Sequence, residues 1–179
     1  MDHDTHLHLI QPEPDRFGIA GEAHENEPLP YPHCGLPIYL LNGFKREILD
    51  GEETVTIENL DGLWTAIGLY LVSKKKQLQP KEIKFLRHHM NLTQAELGQV
   101  LRVTDQTVAR WEKGQTPLDG PADVALRTAF LMSPAAQPDG QEIAGQWLNV
   151  MKDLTDSEDC PIESLRFCRG KNGWLQPAA

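Results

Sequence analysis

Between Thr93 and Gly114 the chain alternates apolar and polar residues in two short helical patterns. In the first, apolar residues recur three or four positions apart, as on one face of a helix: Leu97, Val100 and Leu101. Thr93 and Glu96 have the Thr-x-x-Glu spacing of a capping box, which satisfies two backbone donors at a helix start. Gly98 leaves room for a second helix to approach closely. The pattern therefore predicts a helix that begins after Thr93.

The second pattern begins after Arg102 and Val103, which form a tight turn. Thr104 is a suitable N-cap for a helix over Asp105–Lys113, and Gly114 is a common terminator. The inward positions are Val108, Trp111 and Thr107, whereas the outward positions are Asp105, Gln106, Ala109, Arg110 and Lys113. Two short helices, a tight turn and a polar outer face predict a helix-turn-helix.

This stretch resembles the Xre/Cro/phage-repressor class of helix-turn-helix DNA-binding domains. The matching residues are Leu92–Leu97, Val103–Thr104, Val108 and Arg110–Gly114, and the resemblance covers about residues 80–132. It implies that the second helix enters the major groove of DNA and that Gln94 clamps a phosphate. It also implies an ion pair between Arg87 and Glu112 that braces the domain.

Two residues depart from the family pattern. Arg102 stands where the family usually has glycine, so either the turn differs or arginine adopts a left-handed conformation at a cost of about 1 kcal/mol. Asp105 opens the recognition helix, where the family more often has an uncharged polar or basic residue. A carboxylate suits a helix N-terminus but repels phosphate, and it could accept a hydrogen bond from cytosine N4.

The outer face predicts particular DNA contacts. Gln106 has the groups to pair with adenine, and Arg110 those to pair with guanine O6 and N7. Thr107 could touch a thymine methyl or a phosphate. The predicted DNA-binding residues are Thr93, Gln94, Thr104, Asp105, Gln106, Thr107, Arg110 and Lys113, with Gln115 as a further phosphate candidate.

The segment before this domain reads as a small α+β region over residues 31–76. Strand-like runs occur at Ile38–Leu41 and Thr54–Ile57, with Phe44–Leu49 between them and turn signals at Asn42-Gly43 and Asp50-Gly51. They predict a small antiparallel sheet. A helix capped by Asp61 should follow and end at Lys74–Lys76, lysines that could complement the helix dipole or reach phosphate. This region is similar to that of small bacterial Xre-type regulators and, more distantly, of MqsA-type antitoxins.

The fold class is therefore mainly α with a small antiparallel β-sheet, including a five-helix lambda-repressor-like domain at residues 80–132. Its first helix is Lys81–Met90 and its last runs from Pro121 through Met132. A linker at 133–140 leads to a region, 141–179, that contains a helix over Glu142–Leu154 and a strand over Glu163–Arg169. This strand could join the N-terminal sheet or pair with a second subunit. Residues 1–30 are acidic, rich in proline and predicted to be mobile.

The net charge of −9 argues against binding to nucleic acid, but the distribution of charge along the chain changes this interpretation. Residues 1–62 contain 13 acidic and 3 basic side chains, residues 63–120 contain 5 and 9, and residues 121–179 contain 8 and 5. Positive charge is thus concentrated in the segment with the helix-turn-helix. One face that meets phosphate would have this asymmetry.

The remaining features point to no other chemistry. Three cysteines (Cys34, Cys160 and Cys168) without a CxxC pair favour a reducing compartment, and neither a signal peptide nor a membrane span is evident. His3, His6 and His8, or His33-Cys34, lack the partners of a closed metal site. We therefore expect a cytoplasmic protein with no cofactor, no metal, no membrane association and no catalytic residues.

Three functions follow from these observations. The first is a sequence-specific regulator, a repressor, that binds a double-stranded DNA operator as a homodimer through the helix at 121–132 or the C-terminal region. The second is an antitoxin whose acidic N-terminal part binds a protein toxin while the helix-turn-helix represses its own operon. The third is an enzyme that keeps the helical module for dimerisation, as cyanases do, although no nucleophile–base arrangement supports it.

Overall fold

The computed structural model describes residues 27–137, 139–156 and 165–177. Within them, six strands and seven α-helices follow in the order β1–β4, α1–α7, β5, β6. The strands are β1 Leu29–Tyr31, β2 Ile38–Leu40, β3 Phe44–Leu49, β4 Glu52–Ile57, β5 Arg166–Gly170 and β6 Gly173–Leu175. The helices are α1 Leu60–Lys74, α2 Pro80–His89, α3 Gln94–Leu101, α4 Asp105–Glu112, α5 Gly120–Met132, α6 Asp139–Gly145 and α7 Trp147–Asp156.

The strands form two sheets, and one of them is mixed, so the prediction of a single antiparallel sheet is wrong. The larger sheet has the order β1-β2-β5-β6, in which β2 and β5 are parallel. The strands β3 and β4 pair only with each other. The burial of alternate side chains explains the arrangement. Ile38 and Leu40 of β2 are fully buried, so one face of this strand must be covered, whereas most of the β3–β4 hairpin is exposed.

Both chain ends of the described region join this sheet. β1 begins at Leu29, just inside the predicted mobile segment, because Leu29 pairs with Leu40 and Tyr31 is buried. The C-terminal strand joins the N-terminal sheet, one of the two alternatives that the sequence left open, and it runs over Arg166–Gly170 rather than Glu163–Arg169. Residues 1–26, with His3, His6 and His8, and residues 157–164, with Cys160, lie outside the described residues.

Helix α1 is the element against which the sheet and the helices pack. It contacts β6, α2, α5 and α7, and its buried face consists of Leu63, Ile67, Gly68, Leu71 and Val72. The Phe130 ring lies on Gly68 so closely that a Cβ there would approach it to 2.2 Å. The Trp174 indole N–H donates to the carbonyl oxygens of Glu58 (2.9 Å) and Asn59 (3.1 Å), which ties the tail to the start of α1.

The start of α1 differs from the prediction. Asn59, not Asp61, is the N-cap, and its side-chain oxygen accepts a hydrogen bond from the Gly62 N–H at 3.1 Å. Asn59 has φ +50°, a left-handed conformation that asparagine tolerates better than most residues. Asp61 instead lies in the first helical turn, where its negative charge interacts favourably with the positive end of the helix dipole.

The predicted single helix over Glu142–Leu154 is two helices, so that prediction is wrong. The Gln146 N–H bonds to the Ile143 carbonyl, a tightened turn that ends α6, and Gln146 then accepts from Asn149 and Val150 to begin α7. Gly145 at the break is a poor helix former. The predicted linker at 133–140 is also partly helical, with a 3₁₀ turn at Pro134–Ala136 and the start of α6.

A buried arginine, which the sequence analysis did not single out, joins α5 to α1. Arg127 is fully buried, and its Nη1 donates to the carbonyl oxygens of Leu71 (3.1 Å) and Val72 (2.9 Å) in the last turn of α1. Its Nη2 donates to Lys76 at 3.3 Å, and its Nε donates to Asp123 at 2.7 Å. The last carbonyls of a helix lack partners within the helix, so Arg127 supplies donors that α1 otherwise lacks.

We therefore expect Arg127→Met to lower the free energy of unfolding by about 3 kcal/mol or more, because several buried acceptors lose their donors. Thr128→Met, which places the same residue at the exposed neighbouring position, should change it by no more than about 0.5 kcal/mol. Chemical denaturation monitored by circular dichroism measures both. Equal unfolding midpoints for the two variants would contradict this role of Arg127.

Candidate nucleic-acid interface

Helix α3 begins with the capping box that the sequence predicts. The Thr93 hydroxyl oxygen accepts from the Glu96 N–H (3.2 Å), and Glu96 accepts from the Thr93 N–H (2.7 Å) and hydroxyl (2.7 Å). These hydrogen bonds from Thr93 hold the pKa of Glu96 below its ordinary value. Leu97 and Gly98 face inward, but Val100 is 54% exposed, so its placement on the inner face is wrong. The helix is only eight residues long, and Val100 falls on its outer side.

The turn between α3 and α4 is left-handed at the arginine. Arg102 has φ +57° and ψ +40°, the left-handed alternative of the two that the sequence left open. Its N–H bonds to the Gln99 carbonyl and the Val103 N–H bonds to the Gly98 carbonyl, a Schellman arrangement that closes α3. A Cβ on Gly98 would lie 2.8 Å from the Val103 carbonyl oxygen, so glycine lets the turn close this tightly.

Helix α4 presents one apolar and one polar face. Thr104 caps it by accepting from the Thr107 N–H at 3.2 Å, and the two threonine hydroxyls bond to each other at 2.9 Å. Val108 and Trp111 are buried under the helix. The polar side chains on the other face are exposed: Asp105, Gln106, Arg110 and, at the C-cap, Lys113. The helix ends before Gly114, which has φ +68°.

Asp105 is held at the N-terminus of its own helix. Its carboxylate oxygen accepts from the Gln106 N–H at 2.8 Å. The negative charge therefore lies at the positive end of the helix dipole, which stabilises it locally. The side chain is exposed, so the structure places it at the surface that α4 presents to solvent.

A buried ion pair connects α2 to α4. Arg87 and Glu112, the pair that the resemblance implies, form two hydrogen bonds, from Nε to Oε1 (2.5 Å) and from Nη2 to Oε2 (3.0 Å). Their side chains are 8% and 4% exposed. Arg87 Nη1 also donates to the Leu92 carbonyl at 2.7 Å, so the guanidinium holds the chain just before α3 as well.

Gln94 joins this network from the start of α3. Its amide nitrogen donates to Glu112 Oε2 at 2.8 Å, so the residue expected to clamp phosphate is also a structural partner of the ion pair. The amide group has two hydrogens, and this bond uses one of them. These hydrogen bonds thus fix the position of the start of α3 relative to α4.

The network sets the charge of Glu112. Burial by itself would raise the pKa of Glu112, but hydrogen bonds from Arg87 and Gln94 and the positive guanidinium outweigh burial and lower it below its ordinary value. Glu112 is therefore a carboxylate at neutral pH. A buried charge with this many donors is compensated rather than destabilising.

Two residues at this site, Arg102 and His88, are not among the DNA contacts or the ion pair predicted from the sequence. The Arg102 side chain is exposed in the turn between α3 and α4, and the signal for it was a basic residue at a position that usually holds glycine. His88 Nε2 lies 3.2 Å from Arg87 Nη2, next to the ion pair. No spacing in the sequence predicts that contact. Of the lysine run, Lys74 and Lys76 are exposed and Lys75 is buried.

Comparison with known proteins identifies this part of the chain. The family model described as Helix-turn-helix matches residues 83–121. The segment is a helix-turn-helix of the Xre and lambda-repressor type, and such a domain indicates a DNA-binding transcriptional regulator. Neither the curated proteins nor the solved structures yield a match. The similarity of the N-terminal region to MqsA-type antitoxins has no support beyond the sequence.

Two further observations concern other kinds of site. No helix among the described residues has the length and apolar character needed to cross a membrane. In the same part of the chain, no three histidine, cysteine or acidic side chains are grouped so that they would hold a metal ion. Cys34 and Cys168 are free thiols, and burial raises the pKa of Cys34.

The lowered pKa of Glu112 gives a pH prediction. The Arg87–Glu112 pair stabilises the folded state fully at pH values above the ordinary pKa of a glutamate side chain. This contribution is lost as the pH falls through the lower pKa that Glu112 has in the folded state. At pH 7, Glu112→Gln should cost about 3–5 kcal/mol, since it leaves Arg87 buried without its counter-charge. This cost should shrink as the pH is lowered below about 4.5.

Urea unfolding of the wild type and Glu112→Gln between pH 3 and pH 7 tests this. Glu96→Gln is the matched control, because it removes a carboxylate from the exposed capping box of the same domain. A cost for Glu112→Gln that stays constant across this pH range would show that the charge of Glu112 is not what stabilises the domain.

Proposed function

We propose that the protein is a sequence-specific transcriptional repressor that binds double-stranded DNA as a homodimer, with α4 in the major groove. The observation that supports this best is the outer face of α4, where Gln106 and Arg110 are exposed on a helix fixed by the Arg87–Glu112 pair. Side chains on a rigid, exposed helix can reach base edges, which is how a recognition helix reads sequence.

In this proposal the side chains divide into base contacts and phosphate contacts. Gln106 pairs with adenine and Arg110 with guanine, and Asp105 accepts from cytosine N4. Thr107 contacts a thymine methyl or a phosphate. Phosphate contacts come from the start of α3, where Gln94 keeps an amide hydrogen to donate, and from side chains around α4: Thr93, Thr104, Lys113, Gln115 and, as an addition from the structure, Arg102.

The dimer follows from the size of the reading surface. A single helix-turn-helix covers one half-site, and dimers of this motif bind two half-sites about one helical turn apart. The described residues offer exposed apolar side chains for a dimer surface: Met132 on α5 is 67% exposed and Leu148 on α7 is 78% exposed. Repression requires only that the dimer occupy its operator. We also propose that the protein acts in the cytoplasm and is not an enzyme.

A second candidate function is supported by the β3–β4 hairpin. Its strands pair only with each other, and most of their side chains are exposed. The region of its tip is both acidic and apolar, with Glu47, Asp50, Glu52, Ile48 and Leu49. A two-stranded hairpin is marginal by itself. A basic protein partner, such as a toxin neutralised by an antitoxin, would find complementary charge and apolar area there.

Selection of sequences from a random duplex library tests the regulator proposal. The wild type should enrich an inverted repeat with half-site centres about 10 base pairs apart. Gln106→Ala/Arg110→Ala should lose this enrichment, because each base contact is worth about 1–3 kcal/mol. Both residues are exposed, so thermal unfolding should be unchanged.

Lys113→Gln is the matched control for charge at the same surface. Because Lys113 is proposed to contact phosphate, Lys113→Gln should weaken binding to all sequences alike. It should also reduce the salt dependence of binding by about one unit of slope. If the wild type enriches no sequence, or if the double variant enriches the same repeat, the proposed reading by α4 is wrong. Binding of the hairpin to a basic partner would then become the leading function.

A further inference from the structure

A cavity of about 450 Å³ opens between the N-terminal region and the DNA-binding domain. The 3₁₀ turn Pro32–Cys34 forms one wall, α2 forms the opposite wall, and Trp64 of α1 lies between them. Its volume is within the range of about 300–1,000 Å³ that is usual for small-molecule sites. None of the predicted DNA contacts lines the cavity.

One part of the cavity is aromatic and apolar. The Trp64 and Phe85 rings meet edge to face, with centroids 6.3 Å apart. The Trp64 indole N–H donates to the Tyr31 hydroxyl at 3.1 Å, which fixes the indole plane. His89 packs between Trp64 and Phe85, with its ring centroid 5.9 Å from each. A planar apolar group would find a preformed surface here.

The other part is cationic. Lys81, Lys84 and His88 recur three and four residues apart, so they lie on one face of α2, and all three line the cavity. None of the lining residues that the structure describes is a carboxylate, and no salt bridge of Lys81 or Lys84 occurs among the described residues. Burial and the charges of Arg87 and Lys84 lower the pKa of His88. An anion would relieve this like-charge crowding.

We propose that this cavity binds a small organic anion with a flat apolar body, such as an aromatic carboxylate or an aryl phosphate, and that binding regulates the helix-turn-helix. The ring system would contact Trp64 and Phe85, and the anionic group would meet Lys81, Lys84 and His88. Aromatic walls with a few convergent polar groups are the usual composition of small-molecule sites.

The path from the cavity to the DNA-binding surface runs through the ion pair. In the neutral His88 tautomer with its hydrogen on Nδ1, Nε2 accepts from Arg87 Nη2 at 3.2 Å. Arg87 binds Glu112, and Glu112 also accepts from Gln94. An anion beside His88 stabilises the protonated ring, which has no acceptor and repels the guanidinium. Binding therefore disturbs the ion pair that orders α3 and α4, and it lowers the affinity for DNA.

Protein-observed NMR with three probes of one shape tests the site itself: 2-naphthoate, 2-naphthyl phosphate and the neutral 2-naphthamide. Both anions should shift the Trp64 indole and His88 ring signals with a Kd of about 1 mM or lower. The amide should bind at least about tenfold more weakly. Lys81→Gln/Lys84→Gln should lose anion binding, whereas Lys152→Gln/Lys171→Gln, which removes two exposed lysines elsewhere, should keep it.

The site is refuted if neither anion shifts these signals, if the amide binds as tightly as the anions, or if Lys81→Gln/Lys84→Gln binds them unchanged. A response to only one of the two anions keeps the site and identifies its anionic group. None of these measurements uses DNA, so they remain valid if the proposed regulator function fails.

The regulatory part rests on the proposed function and is measured separately. With the operator obtained by selection, 2-naphthoate should reduce the DNA affinity of the wild type several-fold, as allosteric couplings of ordinary size do. It should not affect Lys81→Gln/Lys84→Gln. Binding of the probe without any change in DNA affinity would overturn the coupling and leave the site. Absence of DNA binding in every condition would overturn the regulator function instead.

Discussion

The geometry of the helix-turn-helix depends on one buried ion pair. This pair joins Arg87 on α2 to Glu112 at the end of α4. The domain around it consists of short helices, and α3 and α4 have only eight residues each. Helices this short are unstable by themselves. Their orientation comes from Val108 and Trp111 in the core and from the Arg87 guanidinium, which bonds to Glu112 and to the Leu92 carbonyl. Gln94 extends the network to the start of α3.

The rest of the chain supports this domain through α1. Its apolar face packs with α2 and α5, Arg127 supplies donors to its last carbonyls, and Trp174 ties the C-terminal tail to its first turn. The sheet joins strands from both ends of the described region, so the N-terminal and C-terminal regions stabilise α1 together. In the further proposal, Trp64 of α1 and the basic face of α2 make this junction a ligand site, and His88 links it to the ion pair.

Local patterns in the sequence predict the local structure well. The Thr93 capping box, the Gly114 terminator and the buried positions of α4 depend on spacing within a few residues, and the structure has them. The predictions that failed did so for two reasons. The parallel pairing of β2 with β5 depends on a distant contact, because it joins residues 127 positions apart. The exposure of Val100, the Asn59 cap and the helix break at Gly145–Gln146 are local, but apolar spacing alone does not predict them. The buried Arg127 and the His88 contact also require the three-dimensional fold.

The most direct test of the account is to map where a DNA duplex touches the protein. Titration of the ¹⁵N-labelled full chain with a short duplex at low salt needs no knowledge of the operator, because phosphate contacts dominate such binding. We expect the largest amide shifts at the start of α3 and along the outer face of α4, at Gln94 and from Thr104 to Lys113. Largest shifts on the β3–β4 hairpin or on α7, with α4 unchanged, would contradict it.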